Sequence, residues 1–523
     1  MATIQGVTGN QFTPTTTDYS DWQYQYATST HLDDHNMKPG LIVQPKNKDD
    51  IKKTVLYAKA NKKSIAIRTG GHQYSGASST GPNNIQLDLR STFTSPDDLR
   101  YFVVPGLNEQ TRKSYVRASV SHSLGDFNKF LGEHKAFVPH GQCVEVHLGG
   151  HVQTGGYGQL GRSFGLLGDH VTSLEIIDHE GNEKEITKNQ DPELFFAWLG
   201  GSPGNMGVLT HFTIEVHRDE DYTGSMGLRV LHTYDVAKLR KLVGYLAEMS
   251  DDANFPRNYD LCISVLSASA DILGLMGGLD NEMEEKHPEI FGKDANPAWP
   301  RMIIVYAQWV PFSKDDKPDM NWFNRLKSDC FFVPQAGVEV KPMSELTAQW
   351  IFRNTREFDL PYVKRTYVTK SNNLSKNGWV DWVVSRMDRV VEPWFNDQWL
   401  SAQLQVFGGK NSQFTKNADN GTAYSWRDQT MCMTIDNFHK PEKKAEAEQW
   451  QRENDMQAIG ASGLFSKEDR RVLWGSWGSF DLDANWKAYY DDEAKYQRLR
   501  KARKLADPDG VFTPNTFAVK RAD

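Results

Sequence analysis

The sequence predicts an α+β protein in two parts, and three observations carry this prediction. The chain has 523 residues, more than a single hydrophobic core usually serves, so more than one domain is expected. Three glycine-dense turns fall before position 210. After His217 the elements lengthen, tryptophan becomes more frequent, and strands alternate with helices, which indicates an antiparallel sheet with helices on one face.

The composition and charge restrict the classes of partner. Hydrophobic residues make up 38% of the chain and charged residues 24%, which is typical of a globular protein. The net charge is -7 and the lysines and arginines are dispersed, so we expect no nucleic acid partner. No apolar run is long enough to span a membrane, so we expect no membrane partner.

The cysteines and the N-terminal segment leave the compartment open. The cysteines form no Cys-x-x-Cys pair, so we expect neither a metal site nor a disulfide framework. No signal peptide is evident as the chain is written, but two sequons, at Asn373 and Asn420, leave secretion possible. The four cysteines are Cys143, Cys262, Cys330 and Cys432.

The first part begins with a small α/β unit between Pro39 and Leu89. Asp49 and Asp50 lie in the first turn of a predicted helix, and the residues that follow give it an apolar face. Alternating apolar residues predict the strands around it. The predicted elements are the strand Leu41–Val43, a helix from about Lys48 to Asn61, and the strands Ile65–Ile67 and Ile85–Leu89.

The glycine-dense turns are Arg68–Gly76, Gly141–Gly158 and Gly200–Gly207. Glycine permits positive φ and lets the backbone approach a flat or phosphorylated ligand. A mobile surface loop would have a similar composition. Because three such turns occur in this half, we expect one extended ligand to lie along it.

The remaining predicted elements follow the same rules. Asp191 followed by Pro192 is typical of a helix start. We expect a surface excursion over Gly277–Lys293 and a helical stretch over Asn485–Ala502. The strands predicted are Val116–Val120, Ser173–Asp178, Val208–Val216, Leu228–Leu231 and Met302–Val310, and the helices are Leu124–Leu131, Val236–Met249 and Trp379–Val391.

Several motifs occur in a fixed order along the chain. Arg68–Gly76 contains Arg-x-Gly-Gly-His, and Cys143–Gly156 contains Cys-x-x-Val-x-x-Gly-Gly-His-x-x-x-Gly-Gly. Pro192–Gly207 contains PELF-x-A and Gly-Asn-x-Gly. In this order the motifs resemble the vanillyl-alcohol oxidase flavoprotein superfamily, in its berberine bridge enzyme and oligosaccharide oxidase branch. Lys370-Ser371, Gly408-Gly409 and Asp507–Phe512 fall where that branch has its own versions.

The resemblance implies a domain plan. It implies a two-part FAD-binding domain of the PCMH type, made of residues 1–216 and 474–523. Residues 217–473 would form the substrate domain, an antiparallel sheet covered by helices.

The resemblance also implies FAD held by two covalent bonds. His72 would bond the 8-methyl carbon of the isoalloxazine and Cys143 the carbon at position 6, since imidazole and thiolate can attack these electrophilic positions. The alternatives are a loop histidine with a structural hydrogen bond and a small buried cysteine. The other expected FAD-binding residues are Arg68, Gly70, Gly71, Gln73, Tyr74, Gly76, Gly149, Gly150, His151, Gly155, Gly156, Gly204, Asn205 and Gly207.

A hydroxyl substrate requires a general base, and the sequence departs from the sugar oxidases here. Ser476-Trp477 occupies the position where those enzymes are expected to carry an Asn-Tyr pair, and tryptophan cannot act as a base. The candidates that remain to order or deprotonate the substrate are Tyr367, Asp481, His147 and Gln405. Val146 falls where the family is expected to control oxygen access to the flavin.

The favoured function is an FAD-dependent oxidase that takes hydride from an alcohol carbon and reduces oxygen to hydrogen peroxide. The expected substrate is bulky, an oligosaccharide or related sugar. The absent Asn-Tyr pair keeps two alternatives open, namely an oxidase of secondary metabolites and a flavin-bearing binding protein without turnover.

Overall fold

The computed structural model describes residues 1–23, 37–73, 76–106, 111–267, 301–330, 337–349, 360–369, 373–392, 396–428, 431–458 and 482–523. Strands in these ranges form three sheets. No helix within them is long and apolar enough to cross a membrane. The predicted α+β class is confirmed.

The first sheet is the predicted α/β unit. Its strand order is β1-β2-β4-β3, with the last three parallel and β1 antiparallel at the edge. The Asn47 side chain begins the predicted helix by accepting a hydrogen bond from the backbone amide of Asp50. The elements are β1 (Asn10–Phe12), β2 (Leu41–Gln44), β3 (Ile65–Arg68), β4 (Ile85–Asp88), α1 (Tyr19–Gln23) and α2 (Lys48–Ala60).

The second sheet is antiparallel and has the order β5-β6-β10-β8-β9, with β7 paired to β10. Its core is continuous with that of the first sheet, so the two sheets form one body. The elements are β5 (Leu99–Val104), β6 (Lys113–Ser119), β7 (Ala136–Phe137), β8 (Val171–Ile177), β9 (Glu183–Thr187), β10 (Val208–Arg218), α3 (Leu124–Glu133), α4 (Leu148–Gln153), α5 (Gly161–Phe164) and α6 (Pro192–Trp198).

The third sheet is antiparallel with the order β14-β11-β13-β12-β16-β17-β15. Its strands are β11 (Met226–Thr233), β12 (Tyr259–Leu266), β13 (Met302–Trp309), β14 (Glu339–Val340), β15 (Tyr362–Thr369), β16 (Gln398–Val406) and β17 (Met431–His439). The helices in this part of the chain are α7 (Val236–Asp251), α8 (Met320–Lys327), α9 (Met343–Ala348), α10 (Trp379–Val391), α11 (Gln413–Lys416) and α12 (Lys444–Ala458). The predicted surface excursion at 277–293 lies outside the described residues.

The two faces of the third sheet have different roles. Successive side chains of a strand point to opposite faces. On one face, Ile263, Leu404 and Met433 pack against α7, α10 and α12 in a single apolar core. We call this the core face. On the other face, Cys432 and Val368 join the core of the first two sheets. We call this the inner face, because it is turned towards the glycine-rich turns.

The C-terminal segment returns to the first sheet. The backbone amide of Ile65 donates to the carbonyl of Val511 over 2.7 Å, and the Asn515 side chain donates to the carbonyl of Ser79 over 2.8 Å. The predicted stretch 485–502 is divided into α13 (Leu482–Tyr489) and α14 (Glu493–Ala506), because Asp492 caps a new helix. The domain boundaries at 216/217 and 473/474 stay predictions.

Candidate functional site

The first glycine-rich turn follows directly from a buried strand. β3 ends at Arg68, whose guanidinium pairs with the Asp88 carboxylate inside the protein. The chain then turns through Gly71, at φ +70°, a conformation that other residues rarely adopt. The amide of Gly76 donates to the carbonyl of Gln73, the residue after His72, over 3.1 Å. Tyr74 lies outside the described residues.

The Cys143 segment lies against this turn. A Cβ atom added to Gly70 would come within 2.8 Å of the carbonyl oxygen of Glu145 and 2.9 Å of the His147 ring. Cys143 itself is exposed. The structure therefore brings together the two segments that carry the predicted covalent residues, and only glycine fits at their contact.

Val146 lies one tight turn beyond Cys143. Its amide donates to the carbonyl of Cys143 over 3.2 Å, and its own carbonyl accepts from the amide of Leu124 over 2.7 Å. The side chain is partly buried against the core of the first part. The role of Val146 in oxygen access stays a prediction.

Gln153 joins the second and third glycine-rich turns. Its side chain donates to the carbonyl of Gly149 over 2.8 Å and accepts from the amide of Gly204 over 3.0 Å. Its carbonyl also accepts from the amide of Gly200 over 3.0 Å. The sequence analysis missed Gln153; the one available signal was its place inside the second glycine motif. The three turns thus form one connected surface.

Asn205 offers a test of whether this surface fits FAD. Its side-chain nitrogen donates to the carbonyl of Phe512 over 2.8 Å. Its side-chain oxygen is buried and has no hydrogen-bond partner among the described residues. A buried acceptor without a partner is costly, so a ligand donor is expected there. The ring N–H and the ribityl hydroxyls of FAD are donors, so the residues present fit this cofactor.

Two histidines near Cys143 stay neutral. The His151 ring accepts a hydrogen bond from the amide of Gly141 over 2.9 Å, and burial lowers its pKa to about 3. Burial likewise lowers the pKa of His147 to about 4. Neither of these two rings therefore supplies an imidazolium beside the Cys143 loop at neutral pH. No cluster suited to a metal ion occurs in the described part of the chain.

The inner face of the third sheet reaches the Cys143 loop. The Gln403 side chain donates to the side-chain oxygen of Gln142, the residue before Cys143, over 2.6 Å. Gln405 lies on the same face, paired in register with Cys262 and Cys432. Gln405 therefore lies on the face that reaches the Cys143 loop, and its role in catalysis stays a prediction. Gln403, which the sequence analysis missed, makes the direct contact.

Tyr367 lies on the opposite face. It belongs to the core face, where its hydroxyl donates to Asp455 over 2.7 Å and accepts from Gln451 over 2.6 Å. Burial raises its pKa well above the ordinary value. The structure does not bring this side chain to the predicted site, so it is a poor candidate for the base. Asp481, Ser476-Trp477 and Lys370-Ser371 lie outside the described residues.

The family comparison identifies the cofactor domain. The family model for an FAD binding domain matches residues 39–187, which include the first two glycine-rich turns. Residues 39–187 therefore form an FAD-binding domain. The resemblance seen in the sequence is thereby confirmed.

Curated relatives agree with this identification. An FAD-linked oxidoreductase of Dictyostelium discoideum is 25% identical over 47% of this chain and 49% of its own length. Berberine bridge enzyme-like 12 of Arabidopsis thaliana is 32% identical over 34% of this chain and 32% of its own length. The chain thus matches half or less of the length of these two relatives, and they agree with the expected enzyme class.

Solved structures share the whole fold. Berberine bridge enzyme-like 1 of Physcomitrella patens has a TM-score of 0.71 with 16% identity, over 99% of this chain and 98% of that one. The glucooligosaccharide oxidase of Acremonium strictum has a TM-score of 0.68 with 14% identity, over 98% and 97%. At these identities the likeness establishes the fold alone.

Proposed function

We propose that this FAD-binding protein is an oxidase that acts on a CH–OH group of a bulky, hydroxylated substrate, an oligosaccharide or related sugar. FAD, when bound, would supply hydride transfer from that carbon and the reduction of oxygen to hydrogen peroxide. The observation that carries the proposal is the inner face beside Cys143, where glutamine, serine and threonine side chains stand in register on β12, β16 and β17. Such groups donate and accept the hydrogen bonds that a sugar requires.

We further propose that the cofactor is attached through His72 and Cys143. The contact of Gly70 with the Cys143 loop and the exposure of that cysteine support this assignment. The related glucooligosaccharide oxidase is described with 6-S-cysteinyl, 8α-N1-histidyl FAD, the pair of linkages proposed for these two residues.

The residues around the cofactor have separate tasks. Backbone amides of the first turn, at Gly70, Gly71 and Gln73, are suited to the two charges of the pyrophosphate. Gln405 orders the substrate hydroxyl, since an amide can both donate and accept but cannot take up a proton. The hydroxyl proton would pass to Asp481 or His147, the predicted candidates that remain once Tyr367 is set aside. The side chain of Val146 leaves a path for oxygen.

The alternative of a secondary-metabolite oxidase is favoured by one specific observation. The sugar-oxidase tyrosine has no counterpart in sequence at Ser476-Trp477, and Tyr367 is buried in the core face. An amine substrate would not require that base, because a neutral nitrogen can form the C=N bond with its lone pair as hydride leaves the adjacent carbon. A flavin-bearing protein without turnover would share the same departure.

Anaerobic bleaching of the flavin absorbance separates these functions. The purified protein is mixed with a panel of mono- to oligosaccharides in the absence of oxygen. Bleaching by any of them, followed by peroxide formation in air, is expected for the sugar oxidase. If dithionite bleaches the flavin and no sugar does, the sugar assignment is wrong for that panel, and phenolic and amine substrates are tested next.

A further inference from the structure

A buried ion pair lies on the inner face of the third sheet. The Lys364 ammonium contacts the Asp436 carboxylate over 3.0 Å, and the two side chains are 8% and 4% exposed. The two residues stand opposite each other on β15 and β17. Neither residue is among those predicted to bind FAD or to act as the base.

A contribution to the stability of the fold does not by itself explain why this ion pair is buried here. Removing two charges from water costs about as much as their attraction returns, so buried pairs contribute little net stability. The next residue along β15 shows the contrast. Arg365 points to the core face and pairs with Asp455 of α12 over 3.3 Å. That pair fastens a helix to the sheet, whereas Lys364 and Asp436 join two strands that are already hydrogen-bonded.

The register places the pair close to the Cys143 loop. Asp436 stands opposite Ser401 on β16, and Gln403, which contacts Gln142, stands opposite Thr434. Two residues along a strand span about 7 Å. The ion pair is therefore one pair of residues further along the inner face than Gln403, on the side away from the Cys143 loop.

An aromatic cluster continues the same face. Trp399 stands opposite Phe438, which packs with Tyr362 one step beyond the ion pair. Trp399, Ser401 and Gln403 are half-buried, whereas the residues between them, Leu400, Ala402 and Leu404, are fully covered in the core face. Along β16 the inner face thus presents an amide, a hydroxyl and an indole in succession.

We propose that Lys364, Asp436 and Trp399 form a subsite for a sugar unit beyond the one that is oxidised. A carboxylate accepts hydrogen bonds from two adjacent hydroxyls, an ammonium donates to a hydroxyl oxygen, and an indole face covers the C–H face of a sugar ring. This subsite rests on the proposed function and adds a preference for substrates of two or more sugar units.

The test compares binding of one and two sugar units. Wild type and variants are reduced with dithionite under nitrogen, so that a sugar can bind but cannot be oxidised. They are then titrated calorimetrically with glucose, cellobiose, maltose and xylobiose. Asp436→Asn and Lys364→Met are each expected to weaken disaccharide binding at least about tenfold, as loss of a hydrogen bond to a charged group does. Trp399→Leu should also weaken it, because the aromatic face that covers the sugar ring is removed. Glucose binding should change little.

Asp455→Asn is the matched control, since it breaks a buried pair on the core face. It should lower the unfolding temperature and leave both affinities unchanged. Equal losses in Asp455→Asn and Asp436→Asn would overturn the subsite in favour of a structural role. If Asp436→Asn does not fold, the disaccharide affinities of Lys364→Met and Trp399→Leu test the subsite instead.

The outcomes for the subsite and for the function are separable. If oxidised wild type is bleached by these sugars but the variants bind disaccharides normally, the subsite is wrong and the oxidase function stands. If wild type neither binds nor is bleached by any of them, the sugar oxidase and its subsite both fall.

Discussion

Gln403 donates a hydrogen bond over 2.6 Å to Gln142, and this contact fixes the position of the Cys143 loop on the third sheet. Gln142 is buried while Cys143, the next residue, is exposed. The loop is therefore held to the third sheet at Gln142 and exposed at Cys143. The exposed thiol therefore directly follows a residue that is held by the third sheet.

Covalent attachment of the flavin at two residues gives a direct prediction. Acid-precipitated wild type should stay yellow, His72→Ala should stay yellow through Cys143, and the His72→Ala, Cys143→Ala double variant should release FAD. The absorbance of pellet and supernatant measures the bound fraction. A colourless wild-type pellet would contradict the covalent assignment, and Cys330→Ala serves as the thiol control.

Removing the Gln403 contact should slow formation of the cysteine linkage. Gln403→Ala leaves the buried oxygen of Gln142 without its donor and loosens the loop. In the His72→Ala background, where Cys143 is the one remaining linkage, we expect a smaller acid-stable flavin fraction. Gln398→Ala, at the other end of the same strand, should leave that fraction unchanged. Equal fractions in the two variants would show that the contact does not position the thiol.

The valine beside Cys143 should set the rate of reoxidation. Val146→Leu adds a methylene group near the expected flavin position, so oxygen should react more slowly with the reduced enzyme. Stopped-flow reoxidation of dithionite-reduced protein measures this rate. Val144→Leu is the control with the same change in volume. An unchanged reoxidation rate in Val146→Leu would remove oxygen control from this position.

The phenol of Tyr367 should matter for stability and not for catalysis. Tyr367→Phe removes the donor to Asp455 and the acceptor of Gln451 inside the core face. We expect the free energy of unfolding to fall by about 1–3 kcal/mol, as for an unpaired buried group. Flavin reduction by substrate should be unaltered. A reduction rate that drops by orders of magnitude, with normal stability, would return Tyr367 to the list of bases.

The neutral His151 should make stability depend on acid. Its folded pKa is about 3, well below the ordinary 6.5, because burial disfavours the charged ring. Below pH 6.5 the unfolded chain takes up this proton and the folded chain does not, so stability falls towards pH 3 by about 1.4 kcal/mol per pH unit. His151→Gln keeps an acceptor for the Gly141 amide but does not titrate. Denaturant unfolding between pH 7 and 4 should therefore show a shallower decline in the variant; parallel declines would contradict the prediction.

Local pattern was sufficient for most elements. The helix Trp379–Val391 has the predicted limits, because apolar residues recur along it with the helical period. The glycine-rich turns were predicted as a ligand surface because their composition restricts them to special backbone conformations. The division at 490–492 was missed, since the caps of α14 involve only local polar residues that also suit a continuous helix.

The orientation of Tyr367 could not be predicted in the same way. Both faces of the third sheet are covered, so β15 lacks a clean alternation of polar and apolar residues. Which face a side chain takes then depends on pairing with distant strands. Gln403 and Gln405 are two residues apart, so one strand assignment would have placed both on one face, but it would not have shown which of them contacts Gln142.

The return of the C-terminal segment has a consequence for biosynthesis. Asn205 in the third glycine-rich turn is held by the carbonyl of Phe512, and Ile65 by that of Val511. While these last residues are still inside the ribosome, the cradle for the cofactor lacks part of its wall. The complete cradle therefore forms only once residues 511 and 512 have emerged and reached the first sheet, so flavin uptake follows their synthesis.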